Sequence, residues 1–225
     1  MTNLTINPAI YQQIPTLKIG FLTLSNIDNN KNVCDFFDKE LEKITAHLTA
    51  KFDGVELAEY PLIKRWREIY RGFGEKKARS SIESLIKRVV SGKGLYRINP
   101  LVDIYNLASL KFELPCGGED TDTMHEPLEL TVADGTETFL PLGATETEHP
   151  NAGEIIYKSG NTVVCRNFNY RESDITKLTP DTVNAIIIFE DVTGCEETLN
   201  AALDWVSERA TTLLGAKIKG RIIQK

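Results

Sequence analysis

The chain has no C-x-x-C pair, no long apolar run and few histidines, and each absence removes a class of function. Its four cysteines, Cys34, Cys116, Cys165 and Cys195, are scattered, which fits reduced thiols in a cytosol better than a disulfide framework or a zinc site. No stretch reaches the ~18 consecutive apolar residues of a membrane span. The opening Met1-Thr-Asn-Leu-Thr-Ile-Asn-Pro8 lacks the basic and apolar blocks of a signal peptide. A cytoplasmic protein without a membrane partner is expected. There is no G-x-x-x-x-G-K-[ST], no H-E-x-x-H, and nothing after Gly72-Phe-Gly74 with dinucleotide-binding spacing, so neither a cofactor nor a metal is expected. The three histidines are far apart. His47 falls on the polar side of an amphipathic helix, and His125 and His149 sit in acidic loops. Nothing marks a nucleophile. Cys116, between Pro115 and Gly117, is the best-placed thiol and reads first as a small residue in a tight loop.

What the chain does have is ordinary apolar content, 41%, over 225 residues, enough for one large soluble domain over 1–225. Its charge is less ordinary. From Leu62 to Arg97 eleven Lys or Arg face three Glu, a net +8, although the whole chain carries −6. From Phe112 to Tyr157 there are eleven Asp or Glu and no Lys or Arg. One reading is a phosphate-contacting patch made of Lys64, Arg67, Arg71, Lys76, Lys77, Arg79, Lys87, Arg88 and Lys93. The other is that the basic and acidic segments neutralise each other across the fold.

Periodicity orders the elements. Leu17–Leu24 reads as a mostly buried strand. Asn32–Ala50 reads as an amphipathic helix, followed by helices over about Glu59–Tyr70 and from Ser80 or Ser81, with Glu83 as capping-box partner of Ser80. Asn99 and Pro100 open a further helix as N-cap and first position. It carries a polar row of Asp103, Asn106 and Ser109 beside an apolar face. From Glu113 to Glu190 the short apolar runs suit a meander of antiparallel strands. Cys195–Leu214 is a last amphipathic helix and Lys217–Ile223 a final strand. The absence of a β-α-β rhythm predicts an α+β fold with an antiparallel or mixed sheet flanked by helices. The strand and helix of residues 1–55 are expected to pack on the outside.

Two segments look like ligand walls. Gly117-Gly118 allows a backbone to approach closely. In Cys165-Arg166-Asn167-Phe168-Asn169-Tyr170-Arg171, strand alternation places Asn167, Asn169 and Arg171 on one face, a hydrogen-bonding wall.

The run Ile98-Asn99-x-x-Val102-Asp103-x-x-Asn106, leading to a loop at Pro115, resembles the tRNA-editing (B3/B4) domain of the phenylalanyl-tRNA synthetase β subunit. Freestanding members are the nearest in pattern. They share the Gly153-Glu154 strand start and an Arg-x-x-Asn-x-Arg pattern, matched by Arg166, Asn169 and Arg171, before a Thr-rich turn (Thr176, Thr179, Thr182). The resemblance spans roughly residues 60–195. Where the synthetase has a His after the loop proline, this chain has Gly117. The synthetase's later glutamate falls near Ile188, with Glu190 a shifted counterpart. The resemblance leaves the amino acid open.

It implies trans-acting hydrolysis of mischarged aminoacyl-tRNA by something less than a full synthetase. Its partners would be tRNA or aminoacyl-tRNA, with an amino-acid moiety in the pocket and no DNA. Glu154 and Arg171 would be catalytic. Asn106, Ser109, Pro115, Gly117, Gly118, Arg166, Asn167 and Asn169 would bind substrate, and the Lys64–Lys93 cations would hold tRNA. The alternative is a non-catalytic module that binds a free amino acid or small metabolite, with no RNA partner.

Overall fold

Two sheets stack face to face, with helices packed on one of them. They are seen in a computed structural model that describes residues 4–224. In chain order the elements are β1 (Leu4–Ile6), α1 (Pro8–Gln13), β2 (Lys18–Ser25), α2 (Cys34–Lys51), α3 (Pro61–Gly72), α4 (Ser81–Val90), α5 (Pro100–Phe112), β3 (Cys116–Asp120), β4 (Leu128–Val132), β5 (Ile155–Ser159), β6 (Thr162–Arg166), β7 (Arg171–Glu172), β8 (Ala185–Asp191), α6 (Glu196–Leu214) and β9 (Lys217–Gln224).

The helix starts follow local chemistry. Ser80 Oγ accepts from Glu83 N at 3.4 Å, and Asn99 Oδ1 accepts from Val102 N at 3.1 Å with Pro100 at the first position. Both caps satisfy amides that the helix itself leaves open.

The first sheet runs β1-β4-β5-β6-β7 and the second β3-β8-β2-β9. Among the strand pairs of the described residues, β1–β4 alone is parallel. β2 was expected on the outside, but it lies inside the second sheet, paired to β8 and β9. Its apolar run explains the position, since Ile19, Phe21 and Leu22 are buried on both faces. Within the stretch Glu113–Glu190, expected to be a meander of strands, the short run Thr138–Leu140 forms isolated bridges rather than a strand.

Antiparallel register sorts the faces. Gly20, Phe189, Ile187 and Gly118 share the face covered by α5 and α6. A Cβ on Gly20 would lie 2.9 Å from Leu203, and one on Gly118 would lie 3.0 Å from Tyr105. Gly117, Glu119, Ile188 and Glu190 alternate to the other face and look across at the first sheet. One apolar core joins both sheets and the helices. A small satellite of Ala133, Phe139, Ile156 and Val163 lies apart from it.

Candidate functional site

A small cavity of about 20 Å³ opens between the two sheets. The second sheet contributes Gly117, Glu119, Ile188 and Glu190. The first contributes Tyr157, Val164, Cys165 and Glu172, and the β6–β7 turn adds Phe168 and Asn169. The free space is about what one water or one small polar head occupies.

Its chemistry is dominated by three carboxyls. Glu119 and Glu190 are buried, and Glu172 is half-buried. Among the described residues, no Lys, Arg or His lines the cavity. Tyr157 Oη donates to Glu190 Oε1 at 2.8 Å, and the Asn169 amide donates to Glu190 Oε2. Burial still outweighs these donors and pushes the Glu190 carboxyl up to about 8. Burial, and then the neighbouring Glu172 charge, hold Glu119 well above the usual carboxylate range. Burial raises Glu172 as well. Among the described residues, no group of three or more His, Cys, Asp or Glu side chains has an arrangement that could hold a metal ion.

The turn that closes the cavity departs from the expected strand. Asn167 and Phe168 adopt left-handed backbone, with φ of 51° and 65°. For a bulky aromatic this is an unfavourable conformation, held by its surroundings. Phe168 is 1% exposed and meets Trp66 and Tyr157 edge-on at 5.3 and 6.1 Å. The predicted wall of Asn167, Asn169 and Arg171 is therefore broken. Asn169 reaches the cavity. Asn167 stays behind it, its N–H donating to Glu154 Oε1 at 3.1 Å.

In β7, alternation carries Glu172 to the cavity and Arg171 away from it. Arg171 donates to Glu148 at 2.6 Å and stacks 5.4 Å from the Phe139 ring. Glu154 is also outside the cavity. Arg166 grips both its oxygens, at 2.8 and 2.6 Å, and holds Glu148 too. Asn151 N and Asn167 N complete the Glu154 shell.

The α5 polar row is occupied as well. Asp103 accepts from Ile98 N and Arg97, and Ser109 Oγ donates to Leu114 O at 2.5 Å. Asn106 is half-buried and outside the cavity. Pro115 is buried beside β8, where its carbonyl accepts from Glu190 N. Gly118 packs against Ile187 and Leu178 on the helix side. Of the residues the sequence nominates for substrate, the structure brings Gly117 and Asn169 together at the cavity. The sequence nominated neither Glu119, Tyr157 nor Glu172. One trace was available: Glu190 and Glu119 each share an inward strand face with apolar or glycine residues two positions away.

The basic segment sits next to this cavity. Asn169 Oδ1 accepts from Tyr70 Oη at 2.8 Å and from Ser81 N at 3.2 Å. The α3–α4 loop, which carries Lys76 and Lys77, is thus anchored at both ends to one cavity residue. Lys64 pairs with Glu59, Arg67 and Arg79 with Glu83, Arg65 with Glu68 and Arg97 with Asp103. Arg88 stacks on Tyr96 at 3.7 Å. Among the described residues, Arg71, Lys76, Lys77, Lys87 and Lys93 have no ion-pair partner, and all five are exposed. No ion pair among the described residues joins residues 62–97 to residues 112–157, so mutual neutralisation of the two segments is not how the charge is handled.

Comparison with known proteins places the chain. The B3/4 domain family matches residues 65–197, more than half the chain, and the protein belongs to that family. Among solved structures it is similar to an N-terminal fragment of the phenylalanyl-tRNA synthetase β subunit from Pyrococcus horikoshii, with 14% identity and a TM-score of 0.51. The match covers 99% of this chain and 55% of that one. At this identity the likeness establishes the fold, two sheets flanked by helices. No curated protein matches the sequence. Among the described residues, no helix is long and apolar enough to cross a membrane.

Proposed function

We propose that the protein acts in trans on aminoacyl-tRNA, hydrolysing the ester of a mischarged amino acid. The observation that carries this reading is the Asn169 amide, which joins a segment of unpaired cations to an acid-lined cavity. Arg71, Lys76, Lys77, Lys87 and Lys93 would meet tRNA phosphates, and the cavity would receive part of the aminoacyl group.

Editing of this kind exists because a single pocket separates near-isosteric amino acids by only about 10–200-fold. The ester is already activated, so a positioned water, donors near the developing oxyanion and the terminal ribose hydroxyl suffice. Glu190 is the candidate to polarise that water, because a carboxyl near 8 can exchange a proton close to neutral pH. Glu154 is less suited, since Arg166 already occupies its oxygens.

The test has two arms. Deacylation of a panel of correctly and incorrectly charged tRNAs should show fast, Glu190-dependent hydrolysis of a mischarged species. Binding of bulk tRNA should weaken steeply with salt, and Lys76→Glu with Lys77→Glu should weaken it by at least about tenfold at low salt. No hydrolysis across the panel, or tRNA affinity untouched by the charge reversals, would sink this reading. The small size of the cavity favours the second reading, a non-catalytic module for a free amino acid or small metabolite. That reading predicts binding of such a ligand without tRNA affinity.

A further inference from the structure

Most large apolar and aromatic side chains of this chain are buried, and Tyr96 is not. At 69% it is the most exposed of them among the described residues, and Ile98 follows at 62%. Both lie in the loop between α4 and α5, which Gly92 and Gly94 turn with left-handed backbone at φ of 76° and 59°. The Tyr96 ring is nevertheless held in place. The Arg88 guanidinium carbon lies 3.7 Å from the ring centroid, which puts it over the ring face. Arg88 is fixed in turn, since its Nε is buried and a terminal nitrogen donates to Lys93 O at 3.4 Å. One face of the ring is thus covered by a cation, and the exposure of Tyr96 leaves the other open to solvent.

The surroundings carry charge of one sign. From Ser84 to Asn99 there are four Lys or Arg and no Asp or Glu. Arg97 is occupied, held by Asp103 and 4.0 Å from Asp38. Lys87 and Lys93 are exposed and, among the described residues, have no ion-pair partner. The position also matters. α4 begins at Ser81, whose N–H donates to Asn169 at the cavity. Arg88 lies two turns further on, ~10 Å along the helix axis.

We propose that Tyr96 is a stacking platform for an unpaired RNA nucleotide, with Arg88 backing the ring and Lys87 and Lys93 meeting the flanking phosphates. A free aromatic face takes any base, because every base has a π-face, and the cations complement the backbone. A duplex keeps its bases stacked inside, so an unpaired nucleotide is the form of RNA that uses both features. A ring already held by Arg88 loses little rotamer freedom on binding. This rests on the reading of the basic segment as the tRNA-contacting surface and names the RNA feature that this end of it recognises.

The experiment is anisotropy-detected binding of the full chain to two labelled probes. One is a short single-stranded oligoadenylate. The other is a strand of equal length with its bases removed and its phosphates kept. One stacked base is worth about 5–150-fold in affinity, so wild type should bind oligoadenylate at least about fivefold tighter than the abasic strand. Tyr96→Phe, which keeps the ring, should keep that preference. Tyr96→Leu, which keeps only apolar bulk, should lose most of it. Tyr96→Trp adds a direct reporter, since Trp66 and Trp205 are buried: oligoadenylate should quench the new fluorescence and the abasic strand should not. Equal affinity of wild type for the two strands, a preference undiminished in Tyr96→Leu, or an unquenched Tyr96→Trp signal would overturn the proposal. The two claims fail separately. Base-dependent binding with no deacylation on the charged-tRNA panel removes editing alone. Deacylation with both strands bound equally removes the stacking platform alone.

Discussion

Glu190 holds a proton that the unfolded chain would release. Its carboxyl is raised from 4.5 to about 8, so between those values folding takes up a proton and stability falls as pH rises. Glu190→Gln removes that dependence. Relative to wild type, the variant should gain stability between pH 5 and pH 8, by up to ~1.4 kcal/mol per pH unit, read from denaturant melts at both ends of the window. Arg166 and Glu154 make the opposite kind of site, a buried pair already complete. Their side chains are 8% and 1% exposed, and removing one strands the other. Glu154→Ala should cost ~3–5 kcal/mol, visible as a large drop in melting temperature. If Glu154→Ala melts like wild type yet loses deacylation, Glu154 belongs to the chemistry and its pairing with Arg166 is incidental.

Single elements show why part of the site was legible in sequence and part was not. The start of α5 could be read because its logic is local: Asn99 caps and Pro100 follows. The structure adds a longer reach, since Asn99 also donates to Leu178 O at 3.1 Å and accepts from Asn29 at 3.0 Å. Asn99→Ala should therefore cost more than a simple cap, ~2–3 kcal/mol in chemical denaturation. The β6–β7 turn could not be read. Asn167 and Phe168 take left-handed backbone with no glycine to announce it, so alternation counted from Cys165 assigned Arg171 to the ligand face when Glu172 is the residue that points there. β3 shows the same limit. Gly117-Gly118 signals close approach but not to what: Gly117 faces the cavity and Gly118 the helices. Gly118→Ala should destabilise by ~1–3 kcal/mol, because its new methyl would lie 2.7 Å from Ile187 and 2.9 Å from Leu178. Gly118→Ala melting like wild type would show that those side chains give way.

At the scale of the molecule, the α+β class, the helix order and most strands follow from periodicity. The pairing of the strands does not. Nothing local in Leu17–Leu24 tells that this run will lie between β8 and β9 rather than on the periphery, because the partners are about as distant as the chain permits. The charge segregation was visible, but its resolution was not: Glu59, Glu68, Glu83 and Asp103 neutralise part of the basic segment from within or beside it, leaving five exposed cations along that segment.

The arrangement of the second sheet has a consequence for synthesis. β2, spanning Lys18–Ser25, finds both its neighbours, β8 and β9, only after residue 185. At ~5–20 residues per second, an early apolar strand waits many seconds for partners while α2 to α5 can already coil beside it. The cavity needs β3 and β8 from that sheet and β5 to β7 from the other, so it closes only late in translation. A nascent chain would present its helices before it has a pocket, and pulse-labelled ribosome-bound chains should become protease-resistant only once β8 has emerged.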